Sequence, residues 1–145
     1  MAKKILVVDD EVRWRCEMRA GLSGRGYEVF CSNNVVQTME IVTSNSIDLT
    51  LVDGLDGAGA ELVTWLKENS FGGIIVAHSL ARQNYDMHQA GCDHVLTKEL
   101  PLSERIGFIQ EFLFRDWLIL ARGTSLRAFY ILHKKISAKL LPRFF

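Results

Sequence analysis

Lys4-Ile5-Leu6-Val7-Val8-Asp9-Asp10-Glu11 decides the fold. Ile5 to Val8 is an unbroken apolar run with no polar alternation, the pattern of a strand buried on both faces. Such strands lie inside parallel sheets. Three acids follow at once, which puts Asp9, Asp10 and Glu11 at the strand's carboxyl end, the edge where open α/β sheets bind ligands. Crowded carboxylates repel one another and need a cation or a shared proton. An all-oxygen set with no thiol or imidazole points to a hard cation such as Mg²⁺. The plainer reading is that the acids only open the next helix, where negative charge suits the helix dipole.

Outward from this stretch, helix-like and strand-like patterns alternate. Val12 to Arg25 has near-helical apolar spacing and is stopped by Ser23-Gly24-Arg25-Gly26. Tyr27 to Cys31 is a short β-rich run, and Asn34 can cap a helix from Val35 to about Ser44. Ile47 to Val52 is a second buried strand ending in Asp53, then a glycine-rich loop and a helix over 60–69. Ile74 to Ala77 is a third apolar strand, 82–90 a polar helix, and His94 to Thr97 the last strand, ending in Lys98. Pro101 opens a helix carrying Ile106, Ile109, Phe112 and Leu113 on one side. Strands alternating with helices predict βαβ units and one parallel sheet covered on both faces.

The 145 residues suffice for one domain with a core, and 48% hydrophobic with 23% charged residues is ordinary for a globular chain. No apolar run reaches the roughly 18 residues of a membrane span. Met1-Ala2-Lys3-Lys4 leads directly into a strand without a signal-peptide pattern, so the expected location is cytoplasmic. Cys16, Cys31 and Cys92 are odd in number and lack metal spacing, which fits reduced thiols. The zero net charge hides an asymmetry: residues 1–114 sum to −6 and residues 115–145 to +6.

Polar residues end four of the five expected strands: Asp9 and Asp10, Asp53, His78 and Ser79, and Lys98. One such residue is often only a turn former. Four along one edge of a parallel sheet converge. Residues 3–114 resemble the receiver domain of two-component response regulators, through the Ile5–Glu11, Ile47–Asp53 and Ala90–Lys98 motifs and the length of the units between them. The resemblance implies a flavodoxin-like (βα)5 sheet in the order 2-1-3-4-5, an order for which the chemotaxis member of the family is a standard example. It implies that Asp53 accepts a phosphoryl group from a histidine kinase or phosphotransfer partner. It further implies that Asp9, Asp10, Asp53 and the Leu55 carbonyl hold Mg²⁺, that Lys98 pairs with the phosphoryl group, and that a hydroxyl ending the fourth strand senses it. The output would be changed protein contacts, not turnover of a metabolite.

The chain departs from the family pattern in places. The loop Gly54-Leu55-Asp56-Gly57 is about two residues short, which puts the Leu55 ligand in question and opens the pocket. Simple register sets His78 where the family has a hydroxyl, with Ser79 the competing and preferred position. Val95 stands where the family often has an aromatic switch residue, and Glu99 replaces the proline after Lys98, where it could compete for the ammonium. Two alternatives follow. One is a phosphorylation-independent pseudo-receiver acting as an interaction module. The other is an aspartate-nucleophile phosphohydrolase, suggested by Asp53 and Asp56 but lacking an Asp-x-Asp motif and a cap.

Residues 115–145 extend beyond what the receiver resemblance covers. The spacing of Trp117 and Leu120 carries the last helix to about Arg122, and Gly123 breaks it. Leu126, Phe129, Tyr130, His133, Ile136 and Leu140 then share one face of a basic amphipathic helix. Its expected role is self-association or binding a downstream protein. Packing back on the domain and an anionic membrane surface are the weaker readings. Nucleic acid is disfavoured because no base-reading motif is visible.

Overall fold

The computed structural model describes residues 2–120, with side chains through Arg115. Five parallel strands form one sheet: β1 (Lys4–Val8), β2 (Glu28–Ser32), β3 (Leu49–Val52), β4 (Ile74–Ser79) and β5 (His94–Thr97), in the order β2-β1-β3-β4-β5. Helices α1 (Val12–Ser23), α2 (Val35–Ser44), α3 (Ala58–Glu68), α4 (Ala81–Gln89) and α5 (Leu102–Leu120) connect the strands and follow the last one. The expected flavodoxin-like order and alternation are found. β4 runs two residues past the expected Ala77, so His78 and Ser79 are strand residues.

Period-two alternation explains the two layers. Ile5, Val7, Leu49, Leu51 and Val76 face one way, against Met18 and Leu22 of α1 and Ile106, Ile109 and Phe112 of α5. Leu6, Val8, Val52, Ile75 and Ala77 face the other, against Leu62, Val63 and Leu66 of α3 and Met87 of α4. Both faces are covered, so the central strands carry no polar stripe. That is why Ile5 to Val8 reads as continuous apolar sequence.

The helices begin and end as their residues dictate. Asn34 Oδ1 accepts the Gln37 N–H at 2.8 Å and caps α2. Gly26 and Gly91, at φ +89° and +102°, make the left-handed turns that lead toward β2 and β5. α5 continues across the expected 114/115 boundary to Leu120, as its apolar spacing predicts. The second tail helix, with its apolar face from Leu126 to Leu140, lies outside the described residues. Among the described residues, no helix is long and apolar enough to cross a membrane.

One glycine fixes how closely a helix meets the phosphoacceptor candidate. A Cβ on Gly59 would stand 2.2 Å from the Asp53 carbonyl oxygen and 2.9 Å from that of Gly54. Only a residue without Cβ lets α3 start against the end of β3. A Cβ on Gly107 of α5 would meet nothing within 4 Å. Gly59→Ala is therefore expected to destabilise by about 1–3 kcal/mol through overpacking against backbone. Gly107→Ala should stabilise by about 0.5–1 kcal/mol, the usual gain in a helix. Urea unfolding of the two variants checks the opposite signs.

Candidate functional site

Three strand ends are extended by one residue each through backbone pairing. Asp9 N–H donates to the Ser32 carbonyl, Asp53 N–H to Val8 and Lys98 N–H to Ser79, at 3.0, 2.9 and 3.1 Å. These bonds fix where the three side chains leave the sheet, and all three leave at its carboxyl edge. The turn after β1 is held by the Arg15 guanidinium, which donates to the Asp9 carbonyl at 2.8 Å, and by the Glu11 N–H, which donates to Asp9 Oδ1.

The side chains converge. Lys98 Nζ donates to Asp53 Oδ1 at 2.7 Å and lies 2.6 Å from Asp9 Oδ2. The second contact is an ion pair off the hydrogen-bonding direction, and Asp9 Oδ2 has no hydrogen bond. Asp9 is 0% and Asp53 7% exposed, whereas Asp10 is exposed. Oxygens of Asp9, Asp10 and Asp53 lie within 4.8 Å of one another. This donor set, all carboxylate with one buried oxygen lacking a hydrogen bond, fits a hard divalent cation such as Mg²⁺.

The two buried aspartates titrate in opposite directions. Burial pushes Asp9 upward, and the nearby Lys98 ammonium and the Glu11 N–H do not offset it. Burial also penalises the Asp53 anion, but Lys98 and the Leu55 N–H outweigh that and hold its pKa below the usual carboxylate value. Of the two buried aspartates, Asp53 is the one whose ionised form its surroundings favour.

The loop after Asp53 is tight. Leu55 N–H donates to Asp53 Oδ2 at 3.1 Å, and the Leu55 carbonyl accepts the Ala58 N–H within a 3₁₀ turn, Leu55–Gly57. Leu55 and Asp56 adopt φ +48° and +51°, the left-handed region that disfavours side chains. A cavity of about 360 Å³ opens beside it, lined by Gly54, Asp56, Arg82 and Gln83 among others, in keeping with the short loop.

Sequence register left His78 and Ser79 competing, and the structure gives them different surroundings. The Ser79 hydroxyl donates to Gln83 Oε1 at 2.6 Å and stands on the Asp53 side. His78 Nε2 lies 3.2 Å from Arg105 Nη1. A guanidinium only donates, so Nε2 accepts and the imidazole is neutral with its proton on Nδ1. Burial, with Arg105 and Lys98 nearby, pushes the His78 pKa down to about 3. Glu99 does not compete for Lys98: it is exposed, its N–H donates to Thr97 Oγ1, and the ammonium turns inward.

Sequence reasoning missed two buried or half-buried partners of the site. Arg105 is 2% exposed and donates to the Leu100 carbonyl at 2.9 Å and Glu17 Oε1 at 2.6 Å. Its position beside Ile106 on an amphipathic helix carried only a weak signal. Trp14 sits with its ring centre 4.8 Å from Lys98 Nζ. A tryptophan in the first turn after an acidic cluster was the available clue.

Comparisons with solved structures agree with this fold. A response regulator from Thermotoga maritima superposes with a TM-score of 0.70 at 17% identity, over 78% of this chain and 98% of that one. The receiver domain of the TMAO respiratory system response regulator TorR superposes with a TM-score of 0.70 at 25% identity, again over 78% and 98%. Its fold is that of a response-regulator receiver domain. Sporulation initiation phosphotransferase F of Bacillus subtilis (strain 168) is 38% identical over 61 residues. That match covers 39% of this chain and about half, 49%, of that protein. No family model matches the chain.

The His78 assignment has a measurable consequence. Folded His78 stays neutral to about pH 3, while an unfolded imidazole takes its proton near pH 6.5. Between those values the unfolded state binds more protons, so stability falls as pH falls, and above about 6.5 the effect vanishes. From pH 7 to pH 5 the protein should lose about 2 kcal/mol more than His78→Gln. Urea unfolding at the two pH values checks this.

Proposed function

We propose that this receiver domain accepts a phosphoryl group on Asp53 from a phosphohistidine of a sensor kinase or phosphotransfer partner, and signals through altered protein contacts. The observation that carries the reading is the Lys98 ammonium held between Asp9 and Asp53 at 2.6 and 2.7 Å. A carboxylate attacks a phosphoryl group poorly because like charges meet. A bound Mg²⁺ would supply the neutralisation of that charge.

The residues then take distinct parts. An ionised Asp53 oxygen forms the O–P bond as the donor's P–N bond breaks and the leaving imidazole keeps its electron pair. Lys98, already at Asp53 Oδ1, turns to a phosphoryl oxygen. Asp9, Asp10 and Asp53 would hold the metal, with the Leu55 carbonyl as a further ligand. That carbonyl already accepts one N–H and would have to offer its second lone pair. Ser79 is the hydroxyl we assign to the phosphoryl group, because the neutral His78 is engaged by Arg105.

Residues 1–114 are the receiver in this reading, and residues 115–145 are a basic amphipathic extension that engages a downstream protein or a second copy. A cytoplasmic location suits a kinase partner. The chain is read as a signalling domain and not as a turnover enzyme.

Incubation with Mg²⁺ and acetyl phosphate should give one base- and hydroxylamine-labile phosphoryl adduct per chain by intact mass, absent in Asp53→Asn. Sustained release of phosphate in large excess over protein would instead favour the phosphohydrolase. Absence of any adduct with acetyl phosphate or beryllofluoride would leave the pseudo-receiver.

A further inference from the structure

The site includes a feature that phosphoryl chemistry alone does not explain. Three cations surround the indole of Trp14: Lys98 Nζ and Arg13 Cζ each lie 4.8 Å from the ring centre, and Arg105 Cζ lies 5.2 Å away. His78 meets the same indole edge-on, 6.4 Å between ring centres at 89°. An aromatic face is negative and attracts cations, so it offsets the repulsion between Lys98 and Arg105.

We propose that Trp14 is a positioning residue for Lys98, and the group through which movement of that ammonium reaches α5. The inference rests on the reading of Asp53 as phosphoacceptor. In the structure described, Lys98 is held by Asp9, Asp53 and the indole together. A phosphoryl group on Asp53 adds oxygens that draw the ammonium off Asp9, and the cation–indole geometry changes with it.

Arg105 is the next group to respond. It belongs to α5 but is tied to α1 through Glu17, to β4 through His78 and to the β5–α5 turn through the Leu100 carbonyl. Its contact with Trp14 therefore links the phosphoacceptor edge to the packing of α5 against α1. In the last strand Val95 is aliphatic, and the ring of His94 stacks on Phe112 of α5 and not on Lys98. The ring beside Lys98 is supplied by α1.

A protein whose single tryptophan is Trp14 (Trp65→Phe, Trp117→Phe) tests this. It is titrated with Mg²⁺ and beryllofluoride, and the adduct is followed separately by fluorine-19 NMR. Trp14 emission should change in step with adduct formation. Trp14→Leu should slow labelling by acetyl phosphate about three- to tenfold, the range a lost cation–π contact implies. Trp14→Phe should restore most of the rate, which a role in packing alone would not separate from Leu. An adduct that leaves Trp14 emission unchanged, with Trp14→Leu labelling at the parent rate, overturns this inference and spares the phosphoacceptor reading. No adduct at all overturns both.

Discussion

A single buried ammonium shared between two carboxylates organises the functional edge of this protein. Asp9 and Asp53 leave neighbouring strands at the same height and would repel each other across a poorly solvated gap. Lys98, arriving from the far side of β4, fills that gap. Removing charge from water is costly, and here the ammonium offsets one of the two negative charges at short range, which leaves the cluster net negative. One carboxylate oxygen, Asp9 Oδ2, still lacks a hydrogen bond. The cluster thus keeps a net negative charge and one carboxylate oxygen without a hydrogen bond, which suits the proposed cation site.

Around this centre the chain accepts local strain. β3 must end, expose Asp53 and turn into α3 in very few residues. The short loop does this by forcing Leu55 and Asp56 into left-handed backbone, at a cost of order 1–2 kcal/mol each. Gly59 removes the side chain that would otherwise hold α3 away from Asp53. Gln83, whose side chain leaves no room for a Cβ on Gly54, holds the Ser79 hydroxyl from the other side. These contacts set Asp53 in place before any ligand arrives, which is what the proposed phosphoryl chemistry requires.

The layout of the fold was largely legible because burial on both faces writes continuous apolar runs, and because helices between them alternate polar and apolar at their own period. Asp9, Asp53 and Lys98 were legible for a related reason: each follows such a run directly, so topology alone brings them to one edge. The His78 and Ser79 ambiguity was not soluble from sequence because the register against the neighbouring strands was not known; the pleat of β4 turns His78 toward Arg105 of α5 and Ser79 toward Gln83 of α4. Arg105 was hidden because a charged residue on an amphipathic helix normally faces water. Here Glu17, His78 and a free carbonyl give it partners in the interior. The left-handed turn was half hidden: Asp56 before Gly57 is a residue type that tolerates that conformation, but Leu55 is not.

In the proposed site, Lys98 occupies, in charge, the place that a divalent ion would take. Calorimetric titration of Mg²⁺ into the protein and into Lys98→Met measures this directly. Competition with the ammonium predicts that Lys98→Met binds Mg²⁺ more tightly, by about tenfold or more, each tenfold being about 1.4 kcal/mol. Equal or weaker binding by Lys98→Met would contradict the account.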